Sequence, residues 1–210
     1  MLDLKGVYIY LVSLQKITSK YIREFFFSTS FYNKLLISEI PSRFFFYPNP
    51  YLLSPLLNHK DSLIKISKFE ANYFWAASKD YNETKNLHGF LWLNLIDRKN
   101  EKDSLKKIID DWIKKYGDYK KNIWNENILS KRLIAWISNA DIILSKDEEK
   151  FQIKFLSSII KQINFLKKNI NIFSQDTTKI SCLASIILSG LVFKEYYNNY
   201  SYGLKELKKI

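Results

Sequence analysis

The feature that most constrains the fold is a helical spacing of apolar residues that runs through the second half of the chain. Between residues 103 and 117, apolar side chains recur every three or four positions, and Gly117 follows the last of them. Comparable windows cover 128–144, 151–170 and 180–191. The chain has only 5 glycines and 4 prolines, too few for the many turns of a strand sandwich. The sequence therefore predicts an all-α protein.

The connections between these windows are short, which favours antiparallel helix hairpins. No repeat of fixed length is present, which argues against a regular consensus solenoid. We expect one helical domain over residues 1–210, with N-terminal helices and a connector in 1–60 and helix hairpins in 85–210. An amphipathic helix is predicted over 2–27, and Ser28-Thr29-Ser30 supplies a stop and a new N-cap. An open arc of hairpins is the expected architecture.

The stretch from about residue 41 to residue 80 differs from the rest. All four prolines lie between Pro41 and Pro55, among many aromatic residues. Because proline fixes φ and removes an amide donor, this stretch is expected to be an irregular, extended connector. Residues 62–77 partly alternate and predict irregular or short β structure. Residues 79–86 are polar and are expected to form a loop.

The charge favours acidic partners. The formal net charge is +12, from 33 Lys and Arg against 21 Asp and Glu. Nucleic acid, anionic lipid and acidic polysaccharide all fit such a balance, and so does a merely solvated basic surface. No Arg-rich run or nucleic-acid motif is present, so no specific nucleic-acid partner is predicted.

Several chemistries find no support in the sequence. The single Cys182 excludes an intrachain disulfide and a Cys-rich zinc site, and its apolar neighbours predict a buried thiol. No Gly-rich phosphate loop, nucleophile elbow or HExxH motif occurs, and neither a metal nor a cofactor is predicted. The apolar run 7–14 is shorter than the roughly 20 residues that span a bilayer, so no transmembrane segment is predicted. No clear signal peptide is present, and the compartment is open between cytoplasm and periplasm.

Large aromatics recur at helical spacing around one arginine and one of the two histidines. The candidate substrate-binding residues are His88, Trp124, Arg132 and Trp136. His88 could equally be a structural histidine, and the partner of Arg132 could be a protein carboxylate or a sugar acid. The tryptophans could form the core between helices, or stack on sugar rings at an inner rim. Catalytic residues are not assigned.

Six blocks, read in order, resemble the N-terminal helical domain of heparinase II/III-like polysaccharide lyases. The resemblance covers about residues 85–210, and its strength lies in the set, not in any single block. The blocks are 87–93, 112–113, Trp124 with 130–136, 151–170, 184–191 and 203–207.

The resemblance implies an incomplete α/α toroid followed by β-sandwich sheets, with a uronic-acid-containing polysaccharide in the cleft between them. Many members are carbon–oxygen lyases that act by β-elimination: a base removes the C5 proton while the charge on the C6 carboxylate is relieved. Here Thr177-Thr178 stands about where many members have an Asn-His pair, and the family's acid/base Tyr and later His would fall beyond Ile210.

We therefore expect part of a lyase that acts on an anionic polysaccharide and is incomplete for catalysis alone. Its partner would be the missing C-terminal β-sandwich part or a companion chain. The alternative is a non-catalytic helical scaffold, or a binding module for an acidic partner.

Overall fold

The computed structural model of the chain describes residues 4–50, 74–75, 80–144, 148–173 and 176–210. Within those ranges the protein is all-α, as the apolar spacing predicts, with nine α-helices and no β-strand. The α-helices are α1 Leu4–Ser28, α2 Ser30–Leu35, α3 Tyr81–His88, α4 Lys102–Tyr116, α5 Glu126–Ser138, α6 Ala140–Ile143, α7 Glu149–Asn169, α8 Asp176–Val192 and α9 Asn198–Leu207. Short 3-10 helices occupy Leu91–Leu95, Ile170–Ile172 and Lys194–Tyr196.

Helix ends follow local capping chemistry. The Thr29 side chain caps α2, and Gly117 is the C-cap of α4, both as predicted. The prediction of a loop over 79–86 is wrong, because α3 occupies most of it. The Asp80 carboxylate accepts a hydrogen bond from the Glu83 amide at 2.9 Å. That N-cap bond satisfies a free helix amide and outweighs the polarity of the segment.

The predicted connector is described only in part. Residues 36–50 contain no helix or strand longer than a single turn, and Phe44 is buried against Phe193 with ring centroids 4.7 Å apart. The aromatic side chains of this stretch thus include one that packs on the helices. Most of the predicted short β structure at 62–77 lies outside the described residues, and so does all of 51–73.

Helices α4 and α7 run in the same direction. Lys106 pairs with Glu148 at 2.7 Å near their starts, and further along Asp110 pairs with Lys154. Because the partners advance together along both helices, the two are parallel.

Helices α5 and α8 are also parallel. The Cys182 thiol contacts the Glu126 carbonyl at 3.7 Å, and the Ser185 hydroxyl donates to the Ser130 carbonyl at 3.0 Å. The hairpins α4–α5 and α7–α8 therefore lie side by side in the same orientation, with α4 and α7 in one layer and α5 and α8 in the other.

Helix α9 packs antiparallel on α8. Gly190 of α8 lies against Tyr200, and Gly203 of α9 lies against Ile187. Both contacts use a glycine where two helices come very close. Within the described residues, no helix combines the length and apolarity needed to cross a membrane.

The core is densely aromatic where α3 meets the hairpins. Phe90 has φ 58°, the left-handed region that a bulky residue rarely adopts. Its ring is fully buried, with centroids 5.3 Å from Trp92, 5.9 Å from Trp112 and 5.2 Å from Trp136. Burial among these rings offsets the strain of the backbone.

Candidate functional site

Arg132 lies at the centre of a buried polar network. Its side chain is fully buried, and Nε donates to Gln162 Oε1 at 2.7 Å. Nη1 donates to the backbone carbonyls of His88 at 3.0 Å and Ile123 at 3.2 Å. The guanidinium stacks on the Trp112 ring, with Cζ 4.3 Å from the centroid. The arginine thus ties the end of α3, the α4–α5 loop and α7 together.

The charge of Arg132 has no carboxylate partner among the described residues, and its Nη2 makes no hydrogen bond there. Burial lowers the pKa of the guanidinium well below its usual value. The contacts that stabilise this charge are the carbonyl dipoles of two backbone groups, the amide oxygen of Gln162 and the π-face of Trp112.

His88 belongs to the same network. The Trp112 indole N–H donates to His88 Nδ1 at 3.0 Å, so the imidazole is neutral with its proton on Nε2. Its ring stacks on Trp75, with centroids 5.4 Å apart. Burial, with the nearby charge of Arg132, lowers the pKa of His88 to about 4. A neutral, buried imidazole that already accepts a hydrogen bond has a structural role here.

This environment predicts acid sensitivity. The unfolded chain protonates His88 near its ordinary pKa of about 6.5, whereas the native protein does so only near 4. Between those pH values the unfolded state binds more protons than the native state. The contribution of neutral His88 to the free energy of unfolding is therefore fully present above about pH 6.5 and is lost as the pH falls toward 4. The His88 contribution should fall by about 2 kcal/mol between pH 7 and pH 5.

The check is urea unfolding at pH 7 and pH 5 for the protein and for His88→Asn, whose amide oxygen can still accept from Trp112. The variant should lose most of this pH dependence. An equal pH dependence in both proteins would contradict the assignment. The other histidine, His59, lies outside the described residues and is present in both proteins, so its contribution to the pH dependence cancels in the comparison.

All four predicted substrate-binding residues lie in the core. His88 is 2% exposed, Trp124 1%, and Arg132 and Trp136 are fully buried. A ligand could contact His88, Arg132 or Trp136 only if neighbouring elements moved. Trp136 packs between Phe90 and Phe155. The structure brings His88 and Arg132 into contact and places both beneath the surface.

One of the four, Trp124, is among the residues that line a cavity of about 380 Å³. We call this the basic aromatic cavity. Helix α1, the start of α3, the α4–α5 loop and the segment after α7 surround it. Its walls carry Lys20, Arg23 and Lys121, and Tyr119 lies beside Trp124. Arg132 supports the cavity indirectly, because its bond to the Ile123 carbonyl holds the loop next to Trp124.

Two cations on the cavity wall have no ion-pair partner among the described residues, so they can contact a ligand. Lys121 pairs with Glu24 at 2.8 Å, but no described carboxylate pairs with Lys20 or Arg23. Glu126 is the second carboxylate on the wall. A larger recess of about 870 Å³ lies between α4 and α7. Several of its lysines are already neutralised by ion pairs, so it is the weaker anion site.

Tyr119 supplies a neutral hydroxyl. Its ring packs on Phe27 and Phe165, with centroids 5.3 and 5.6 Å away. Burial, reinforced by the charges of Glu24 and Glu126, raises the pKa of Tyr119 to about 12. The hydroxyl therefore stays protonated at neutral pH and can donate a hydrogen bond, but it is a poor general base.

The cavity lies at the start of α5 and close to the segment that precedes α8. Asn125 and Glu126, at the start of α5, line it, and so does Phe173, three residues before α8. Because α5 and α8 are parallel, their positive dipole ends face the same side, which favours an anion. The acidic first-turn residues Glu126 and Asp176 offset part of this effect. Thr177-Thr178 lies in the first turn of α8.

Sequence reasoning missed most of the cavity. Lys20 and Arg23 share one face of α1 at a spacing of three, which was the available signal. Their proximity to the α4–α5 loop depends on contacts such as the Tyr119 amide donating to Asn33 Oδ1 at 3.1 Å, across 86 residues. No local pattern encodes such a contact.

Two further observations complete the site. Among the residues described, no group of His, Cys, Asp and Glu has a geometry that could hold a metal ion. Burial raises the pKa of Cys182 to about 12, so its thiol is unreactive.

Comparisons with known proteins find no matching family model, no similar curated protein and no similar solved structure.

Proposed function

We propose that the chain is the helical part of a heparinase II/III-like polysaccharide lyase, and that it binds a uronic-acid-containing polysaccharide at the basic aromatic cavity. One observation carries this proposal: the cations of Lys20 and Arg23 line the same cavity as the aromatic rings of Tyr119 and Trp124. Uronic acids present carboxylates on apolar-faced rings, which cations and aromatic side chains complement.

The hairpin geometry supports an incomplete α/α toroid. Two hairpins in the same orientation, one helix of each in an outer layer and one in an inner layer, are the repeating unit of such an arc. Helix α9 would then be the third outer helix. An apolar stripe along α8 would face the third inner helix, and its members are all exposed or partly exposed: Ile180, Ala184, Ile187 and Leu191.

The chemistry of the cavity supports binding without turnover. In β-elimination, a carboxylate must be neutralised while a base removes the neighbouring proton. Lys20 and Arg23 can contribute to the first requirement. Tyr119 is unsuited to the second because its pKa is raised, and Thr177-Thr178 supplies no imidazole. The base would come from a C-terminal β-sandwich part or a companion chain.

The test measures the binding of alginate, heparin and hyaluronate to the full chain by titration calorimetry at two salt concentrations. Lys20→Ala/Arg23→Ala should weaken binding of the preferred polysaccharide by about tenfold, since each lost contact is charge-assisted. Lys107→Ala/Lys150→Ala, at the recess between α4 and α7, removes the same charge and should change it by less than about twofold.

Equal weakening by both double variants would mean that net charge, not the cavity, drives binding, and would contradict the proposal. Unsaturated-uronate absorbance should show no product from this chain, and product once the C-terminal part is supplied.

The second candidate is a non-catalytic helical scaffold, which the exposed stripe on α8 favours. It predicts a protein partner that is lost on Ile180→Asp/Leu191→Asp, with no polysaccharide binding at the cavity.

A further inference from the structure

Helix α1 is 25 residues long and almost entirely exposed. Several of its large apolar side chains are more than half exposed, including Leu11 at 55%, Ile22 at 69% and Phe25 at 74%. Water contact of this extent is unfavourable for apolar surface. We therefore expect a surface of complementary chemistry to cover the apolar side chains of this helix.

The helix is amphipathic. At about 100° per residue, its main apolar stripe spans an arc of about 100°. That stripe, the apolar face, consists of Val7, Leu11, Leu14, Tyr21, Ile22 and Phe25. Thr18 also falls in this arc, but its hydroxyl bonds back to the Leu14 carbonyl at 2.9 Å.

The basic residues lie on the opposite side. Lys5, Lys16, Lys20 and Arg23 fall within an arc of about 60°, centred about 180° from the apolar face. Glu24 is the helix's one acidic residue. The exposed apolar residues outside the stripe, such as Ile9 and Tyr10, make the helix more apolar than a typical surface helix.

The body of the protein holds α1 on its basic side. Phe27, which shares that side, is buried at the C-terminal end of the helix, and Glu24 pairs with Lys121. Most of the apolar face consequently points away from the contacts that anchor the helix. Tyr21, at the edge of the face, is the exception, because the Lys121 ammonium lies 5.8 Å from the centroid of its ring. A flat surface could therefore reach most of the apolar face without meeting the body of the protein.

The charges select among possible occupants. A second copy packed on the apolar face would cover it but would leave the basic arc of each helix on the far side, with no negative charge opposite its four cations. The one acid of each helix, Glu24, is already paired with Lys121, so it offers the other copy no free partner. An anionic bilayer supplies both an apolar layer and negative headgroups. Because a helix is about 10 Å across, the basic arc stays within about one Debye length of the headgroups.

We propose that α1 lies in the interface of an anionic lipid bilayer, with the apolar face in the acyl boundary and Lys5 and Lys16 attracted to the headgroups. This inference concerns a surface separate from the polysaccharide site and does not depend on it.

The test is cosedimentation of the full chain with vesicles of phosphatidylglycerol and phosphatidylcholine, against phosphatidylcholine alone. Binding should require the anionic lipid and weaken as salt rises. Leu14→Asp/Ile22→Asp should reduce binding by at least about tenfold, since burial of each side chain contributes to affinity. The matched control is Leu207→Asp/Ile153→Asp, which makes the same changes at exposed sites on α9 and α7 and should retain binding.

Charge is tested with Lys5→Glu/Lys16→Glu, which avoids the cavity residues Lys20 and Arg23. It should weaken binding more than Lys150→Glu/Lys205→Glu, which makes the same charge change elsewhere. Circular dichroism verifies that each variant is folded. Absence of vesicle binding, or equal loss in α1 and control variants, would overturn the proposal. So would a dimer that Leu14→Asp/Ile22→Asp converts to monomer without any lipid binding, since a second copy would then be the occupant.

Discussion

Replacing Arg132 with alanine is expected to lower the free energy of unfolding by about 4 kcal/mol. The substitution leaves Gln162 Oε1 and the carbonyls of His88 and Ile123 without their donor in a buried site. Buried acceptors that lose a partner each cost about 1–3 kcal/mol. The substitution also removes a side chain that fills space against Trp112.

A second substitution separates packing from hydrogen bonding. Arg132→Met keeps much of the volume but none of the donors, and should cost about 2–3 kcal/mol. Part of the loss is offset, because methionine also removes a desolvated charge and the unbonded Nη2. The measurement is urea unfolding at neutral pH.

Arg43→Ala is the matched control. Arg43 is exposed in the segment after α2, so its loss should change the free energy of unfolding by less than about 0.5 kcal/mol. If Arg132→Met were as stable as the unaltered protein, the hydrogen bonds of Arg132 would contribute nothing to folding, and this account would be wrong.

This expectation changes how a binding assay on Arg132 is read. The sequence suggested Arg132 as a cleft residue, and loss of ligand in Arg132→Ala would have been taken as loss of a contact. Because Arg132 holds the Ile123 carbonyl next to Trp124, its removal should also displace the wall of the basic aromatic cavity. Lys20 and Arg23 are cleaner probes, since both lie at the surface of α1.

The helices were predictable because their signal is local. Apolar residues spaced by three and four identify α4 through their own repetition, and Gly117 marks its end without reference to the rest of the chain. The wrong prediction of a loop over 79–86 also has a local cause. The segment is polar, as loops are, but Asp80 is an N-cap at which a helix begins.

Burial of the candidate residues was not predictable in the same way. Arg132 finds its partners 30 residues away at Gln162 and 44 residues away at His88. An arginine between apolar residues on a helix is equally compatible with a cation that lines a cleft and with a cation that is buried in the core. Only the packing of α3 and α7 around it decides between these readings.

Replacing Gly190 with alanine is expected to cost about 3 kcal/mol. A Cβ at this position would lie 2.3 Å from the Tyr200 amide nitrogen and 3.0 Å from its Cα. Backbone atoms cannot rotate away, so α9 must move outward from α8. The expected result is a lower urea midpoint, with faster amide exchange confined mainly to α9 if that helix detaches.

Gly6→Ala is the matched control. Gly6 is exposed in helix α1. Both glycines lie in helices, so alanine brings each a gain of up to about 1 kcal/mol in helix propensity. The difference between the variants therefore isolates the backbone clash, and Gly6→Ala should stay within about 1 kcal/mol of the unaltered protein. Equal effects of the two substitutions would show that α9 is not held against α8 through Gly190. A large effect of Gly190→Ala alone would establish the close crossing on which a third outer helix depends.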